Sequence, residues 1–322
     1  MKTNSSSTLT RRRFLADSTK AASALAIVPT LVSRAESSGE RRKLSSTDKL
    51  NLAFIGVAGR ATDNLKEITA AEDFNMVALC DVDEGNLNRI GVKYPNAKRY
   101  RDYRKMLAAE KSLDGVVISI PDHNHAAATM MALKLGKHVY CEKPLTRTVK
   151  EARAIGLAAR EAKVATQMGN QGMAFEGNRF IEEWLADGCI GTVREVHVWS
   201  DRPTSRGKLP GWWPQGIQRP TDTPPVPEKL DWDLWLGPAP ERPYHPAYVP
   251  FKWRGWWDFG SGGLGDMGIH NLAPVFAALK LGAPTSLTAS STPVYPDSIP
   301  LANVVHYEFP ARGEMPPVKL HW

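Results

Sequence analysis

Residues 50–168 predict a doubly wound α/β fold with a parallel sheet. Three observations carry that expectation: short apolar runs alternating with helical stretches, a glycine-rich turn after the first run, and an acidic residue closing the second. From Asn170 onward the alternation breaks, so a second domain over residues 169–322 is expected. With 322 residues, both domains can bury a core of their own.

The first strand is Leu50 to Ile55, an apolar run ending at Gly56 as a buried parallel strand does. Gly56-Val57-Ala58-Gly59-Arg60-Ala61 leads into a helix read from Asn64 to Ala71. In that strand–turn–helix setting Gly56 permits the tight turn, and the helix start offers N–H groups and partial positive charge to a pyrophosphate. Ala58 and Ala61 stand where the G-x-G-x-x-G pattern has its second and third glycines; Gly59, one position on, provides room. Asn75 to Cys80 is the second strand, and Asp81 closes it 25 residues after Gly56. A carboxylate there accepts both ribose hydroxyls of an adenosine and repels a 2′-phosphate, which predicts NAD rather than NADP. The rhythm continues: a helix over 84–93, a strand over 98–100, a helix over 103–109, and a strand over 115–120. A helix over 126–135, a strand over 138–141, a helix over 148–162 and an extended stretch over 164–168 complete a Rossmann sheet.

The ends carry other signals. Arg11-Arg12-Arg13-Phe14-Leu15, the weakly apolar stretch Ala21 to Val32 and Ser33-Arg34-Ala35 follow the order of a secretory signal, too short to span a membrane. The paired arginines resemble a twin-arginine (Tat) signal, so residues 1–35 are expected to direct periplasmic export by the Tat machinery, with 36–49 as a linker. That route carries proteins already folded and suits one that loads a cofactor first. The signal also holds six Lys/Arg and one Asp, five of the formal +7 charges. The remainder is close to neutral and has no basic stripe, which excludes a nucleic-acid partner. Cys80, Cys141 and Cys189 form neither a disulfide framework nor a zinc pattern and are expected as small buried residues.

In the second half, 178–186 reads as a helix and 193–200 as a half-buried strand. Residues 202–250 are rich in proline, and eight of the ten tryptophans fall between Trp199 and Trp257. Those rings either stack on sugar faces or fill an irregular insertion. Val304–Phe309 and Val318–Trp322 read as strands; a chain stopping inside one is expected to be cut short.

Two segments are more specific than the glycine loop: Ile120-Pro121-Asp122-His123-Asn124-His125, continued by Gly136-Lys137-His138-Val139-Tyr140-Cys141-Glu142-Lys143-Pro144, and Gly262-Gly263-Leu264-Gly265-Asp266-Met267-Gly268-Ile269-His270. With the layout above they resemble the glucose–fructose oxidoreductase / inositol dehydrogenase / MocA family from residue 50 to the end. The resemblance implies a second α/β domain with an open, mostly antiparallel sheet and a substrate pocket between the domains. It places Glu142 and Lys143 beside the nicotinamide ribose and substrate, Pro144 in a turn that is often cis, and Asp266 and His270 on a helix start facing the nicotinamide. Pro121, His123 and His125 would open a helix beside that ring. His123 and His125 also have the i, i+2 spacing of a metal pair, but one nearby carboxylate and no supporting cysteines assign no metal. Where many relatives have Asp three residues after the histidine, this chain has Ala273.

Removing hydride from a secondary alcohol needs a base for the hydroxyl proton and a cation for the developing alkoxide. His270 supplies the first and Lys143 the second; Asp266 orients His270 or grips a neighbouring hydroxyl. The expected partners are a sugar or polyol, the Tat machinery and, in a homo-oligomer, further copies of the chain. An NAD(P)-dependent oxidoreductase leads. The alternatives are a glycoside hydrolase using transient oxidation by NAD and a sugar-binding protein without catalysis, against which the intact Lys143, Asp266 and His270 speak.

Overall fold

A computed structural model describes Ser45, residues 48–204 and residues 211–322. The expected signal and all but three residues of the expected linker lie outside these residues. No helix among the described residues is long and apolar enough to cross a membrane.

Six parallel strands form the first sheet: β1 (Leu50–Ile55), β2 (Phe74–Cys80), β3 (Lys98–Tyr100), β4 (Gly115–Ile118), β5 (His138–Glu142) and β6 (Thr166–Gly169). Their spatial order is β3-β2-β1-β4-β5-β6, so the chain reverses direction between β1 and β4 and leaves a crevice at their C-terminal ends. The connecting helices are α1 (Arg60–Thr69), α2 (Glu84–Gly91), α3 (Tyr103–Ala109), α4 (Asp122–Lys134) and α5 (Val149–Ala162). Local chemistry sets their starts. Asp83 caps α2 through the N–H groups of Gly85 and Asn86, and Thr148 and Glu151 form a reciprocal capping box on α5. Two clusters fill the faces of the sheet, one around Ala53, Ile55, Val116, Ile118 and Met106, the other around Phe54, Leu79, Val117 and Leu65. Both faces are apolar because helices cover both.

α4 begins four residues before the sequence reading put it. Asp122, His123, Asn124 and His125 look like loop by composition, yet all four are buried. Cys80 and Cys141 are buried as expected, whereas Cys189 is exposed in the turn after α6 (Glu176–Ala186).

The second sheet runs β7-β10-β9-β8, from β7 (Glu195–His197), β8 (Ser286–Ser291), β9 (Asn303–Phe309) and β10 (Val318–His321). β7 pairs parallel with β10 and the other two pairings are antiparallel. Its apolar face, with Phe309, Val318 and Leu320, packs on Leu185 of α6 and on Leu272 and Val275 of α8 (Gly262–Ala278).

Among its described residues the proline-rich segment holds one short helix, α7 (Trp232–Leu236), and it contributes to a core of its own. Trp235, Tyr248, Trp253, Trp256 and Phe259 are buried there, so most of these rings fill the insertion. Trp235 and Trp253 also present an edge to the crevice, while Trp199, Trp212 and Trp257 are exposed.

Candidate active site

The crevice at the sheet's C-terminal ends continues as one cleft of about 770 Å³ toward α8. At one end, Gly56 sits at φ 82°, and a Cβ there would lie 2.2 Å from the Ser119 carbonyl oxygen. That position therefore demands glycine, and the turn lies flat against the end of β4. Gly59 precedes α1 with φ 58°, and no side chain caps the helix; the Ala61 and Thr62 N–H groups bond back to the Ala58 and Gly59 carbonyls, and the positive end of the helix dipole faces the cleft. Ala61 is fully buried against the sheet, where a small side chain allows the close approach.

Asp81 lines the same cleft. One carboxylate oxygen accepts from the Val57 N–H at 3.0 Å and the other from the Asp83 N–H at 2.9 Å. Burial pushes its pKa up, against the pull of these two backbone bonds. The side chain is thereby held at the β2 end, tied to the glycine turn. A tight turn pressed on the sheet, an uncapped helix start and a fixed carboxylate at the second strand are the features that a dinucleotide requires. The residues fit NAD.

Toward the middle, Glu142 ends β5 and is buried. It accepts from Asn64 Nδ2 at 2.8 Å, and Arg60 Nε lies 3.5 Å away, which joins α1 to β5. Lys143 follows, and its bond to Pro144 is cis, as the family pattern implied.

Lys143 Nζ donates to the Asp266 carbonyl oxygen at 2.9 Å and to Asp266 Oδ1 at 2.8 Å. An ammonium has three hydrogens, so one remains for a ligand. The same Oδ1 accepts from Arg254 Nε at 3.0 Å, and Arg202 Nη1 stands 3.7 Å from Oδ2. Burial alone would raise the Asp266 pKa, but the Lys143 and Arg254 charges outweigh it and hold the carboxyl below its ordinary range. Asp266 thus orients Lys143; its carboxylate bonds to that lysine and to Arg254 rather than to His270.

His270, one turn along α8, also lines the cleft. Its Nδ1 lies 3.2 Å from the Gln171 carbonyl, which can only accept, so Nδ1 carries the hydrogen and Nε2 the lone pair. Burial and then the Lys143 charge lower its pKa, which keeps the ring neutral near pH 7.

Ala58, Arg60 and Pro121 line the cleft alongside Gly56, Gly59, Asp81, Glu142, Lys143, Asp266 and His270. His123 and His125, expected beside the nicotinamide, stand behind the wall instead. His123 has Nδ1 3.3 Å from the Phe259 carbonyl and Nε2 3.0 Å from both the Trp235 carbonyl and Asn124 Nδ2. Burial lowers its pKa to about 4. His125 places both ring nitrogens 2.7 Å from carbonyls, those of Pro144 and Ile120. Two acceptors require two N–H groups, hence an imidazolium. Burial opposes that charge, but Cys141, Asp122 and the Pro144 carbonyl push the pKa up to about 10. His125 therefore pins the turn carrying Lys143. Asp122, at the start of α4, accepts from Ser261 Oγ at 2.9 Å and seats α8 on the first domain.

Arg254, Arg202, Asn64 and Asp122 were missed by sequence reasoning. Arg202 comes from irregular chain and Arg254 from a single 3-10 turn, Lys252–Gly255, with no spacing to mark them. Asn64 and Asp122 had a signal, a polar residue in the first or second turn of a helix that opens at the crevice.

Residues 50–170 match the model of the oxidoreductase family with an NAD-binding Rossmann fold, and residues 212–311 match that family's C-terminal α/β domain. Among curated proteins, the chain is 32% identical over 170 residues to D-glucoside 3-dehydrogenase of Escherichia coli (strain K12), covering 52% of this chain and 47% of that protein. Inositol 2-dehydrogenase of Salmonella typhimurium is 28% identical over 151 residues, covering 46% of this chain and 45% of that one. The chain spans about half the length of these curated relatives. Among solved structures, GenD2 from gentamicin A biosynthesis in complex with NAD superposes with a TM-score of 0.60 at 20% identity, over 87% of this chain and 67% of that one. The WlbA dehydrogenase from Bordetella pertussis in complex with NADH and UDP-GlcNAcA gives 0.59 at 17% identity, over 85% and 70%. The two family models together take in more than half of the sequence, and the chain belongs to the Gfo/Idh/MocA oxidoreductase family, with an NAD-binding Rossmann domain at its front.

Proposed function

We propose that the protein is an NAD-dependent dehydrogenase that transfers hydride between the nicotinamide and a secondary hydroxyl of a sugar or polyol. The observation that carries this reading is a lysine ammonium clamped by Asp266 in the same cleft as a neutral His270. The dehydrogenases named above, which act on a glucoside and an inositol, support the substrate class. Gly56, Ala58, Gly59, Arg60, Asp81, Pro121 and Glu142 would hold NAD, which supplies the hydride acceptor when bound.

In the oxidative direction His270 takes the hydroxyl proton at Nε2, the nitrogen left basic by the bond from Nδ1 to Gln171. Lys143 offers its remaining N–H to the same oxygen as negative charge develops there. Asp266 holds that N–H in place and keeps two cations, Lys143 and Arg254, at fixed positions in a half-dry site. Trp235 and Trp253 line the cleft and help to keep water from it.

Export through the Tat pathway to the periplasm, directed by Arg11 and Arg12, is part of the proposal and is supported by the order of residues 10–35. The purified protein should retain NAD(H), and a panel of sugars and polyols should yield reduced nicotinamide absorbance in a single turnover. Absence of that signal across the panel, with steady aglycone release from glycosides, would favour the redox-assisted hydrolase instead.

A further inference from the structure

Three of the chain's eight histidines stand in one row on the second sheet. β10 lies between β7 and β9, and its register places His321 opposite His197 on one side and opposite His306 on the other. Side chains alternate across a strand, so these three point away from the face where Val196, Val318, Leu320 and Phe309 pack on α6 and α8. Glu195 shares that outer face with His197, two residues apart on β7. The His197 and His321 rings lie 4.8 Å apart at 27°, and the His321 and His306 rings 4.8 Å apart at 72°. Glu195 Oε1 is 2.8 Å from His197 Nε2 and 3.4 Å from His321 Nε2.

We propose that Glu195, His197 and His321 form a binding site for a divalent d-block cation of the zinc type, separate from the cleft. One donor atom from each of these residues lies within 4.8 Å of the other two. Zinc bonds of about 2.0–2.1 Å to nitrogen and oxygen set the donor separations of a tetrahedral site at roughly 3.3 Å. The two distances to Glu195 are already near that value. The remaining closure needs rotation of the exposed Glu195 and His197 side chains beside a half-buried His321, on strands whose backbones are fixed by the ladder. Two imidazoles and one carboxylate are a donor set suited to zinc and leave the fourth position to solvent.

His306 supplies what a ligating histidine needs behind it. Its Nδ1 lies 2.5 Å from His321 Nδ1, and two facing nitrogens can bond only if one carries the hydrogen. With the hydrogen on His321 Nδ1, His306 accepts, and the lone pair of His321 is confined to Nε2, the atom beside Glu195. An acceptor behind a metal-binding imidazole fixes its tautomer and direction in this way. His306 is a positioning residue. The alternative, an exposed ion pair with Glu195, would require protonated rings stacked against one another, and such pairs contribute little at a surface. A bound cation would join β7 to β10, segments far apart in sequence.

The test uses the full chain free of any affinity tag, stripped with a chelator, then titrated with zinc chloride by calorimetry at a fixed, slightly alkaline pH. One equivalent is expected to bind saturably, and added zinc should raise the Tm. His197→Ala and His321→Ala should each weaken binding on the order of a hundredfold or more, and His306→Phe about tenfold. His306→Gln, whose amide oxygen can accept from His321 Nδ1, should restore affinity. His245→Ala, which removes a histidine paired with Asp222 elsewhere, should leave it unchanged. Glu195→Gln, at an exposed position, tests the site without touching a ring. No saturable binding to the wild type, or equal binding to the His197, His321 and Glu195 variants, would overturn the proposal.

Discussion

Lys143→Met keeps the length and apolar stem of the side chain and removes the ammonium that donates twice to Asp266. The carboxylate is not stranded, because Arg254 still donates at 3.0 Å and Arg202 stands at 3.7 Å. The stability cost is then that of a charge-assisted bond, no more than about 3 kcal/mol. Turnover should fall far more, by roughly two to four orders of magnitude, or about 3–5 kcal/mol of barrier. The pH profile gives a second reading. His270 is held below its ordinary pKa first by burial and then by the Lys143 charge. Removing that charge raises the His270 pKa, so the acid limb of the rate, where the base must be neutral, moves to higher pH. The assay is single-turnover formation of reduced nicotinamide at a series of pH values for wild type, Lys143→Met, His270→Ala and the double variant. Because the two residues serve one proton transfer, the double variant should be little worse than the worse single one. An unmoved acid limb together with strictly multiplicative losses would refute the shared role.

Asp81→Ala should weaken NAD binding roughly 10–100-fold, measured by calorimetry, and narrow the preference over NADP, since two ribose bonds to a carboxylate are lost. His123 titrates at about 4 in the folded chain against 6.5 when exposed, so the unfolded state binds the proton first as pH falls. Stability should therefore drop between pH 6.5 and about 4, by on the order of 3 kcal/mol in total, and His123→Gln should flatten that part of the denaturation profile. His125, raised from 6.5 to about 10, is charged in both states below about pH 6 and adds little to that slope; its stabilisation is lost instead as pH rises from 6.5 toward 10. Trp256→Ala removes a fully buried ring whose Nε1 donates to the Ala247 carbonyl at 2.9 Å. It should cost about 3–5 kcal/mol and lower the Tm by roughly 10 °C in a calorimetric scan. Replacing Arg11 and Arg12 together by lysine should leave folded protein in the cytoplasm, scored by fractionation; an unchanged periplasmic yield would remove the Tat assignment.

The first domain was legible because its signals are local. Leu50 to Gly56 is a contiguous apolar run ending in a forced glycine, and Asp81 follows at a fixed separation. The cleft's lysine and histidine were legible through two motifs. Where burial contradicts composition, the bounds were off: His123 and His125 were expected to open a helix and do, but the polar run Asp122 to His125 put the start of its regular part at Ala126, although the tryptophan-rich insertion seals the whole first turn. β8 failed for the opposite reason, since Ser286–Ser291 is exposed throughout and shows no alternation. For Asp266, helical spacing suggested His270 as one partner, whereas Lys143 arrives from 123 residues away through a turn held by His125. The histidine row shares that character, for residues 197, 306 and 321 become neighbours only through strand register.

The stacked pair Trp232 and Trp235, 4.8 Å apart and 12° from parallel, gives the chain an optical gauge of its own. Two indoles that close couple their strong far-ultraviolet transitions and produce a circular dichroism couplet that exists only while residues 231–259 are packed. Trp235 also faces the cleft, and reduced nicotinamide absorbs where tryptophan emits. Emission should therefore quench when the reduced cofactor arrives, while the couplet persists. Loss of cofactor and loss of fold become separable signals in one cuvette, with no label added.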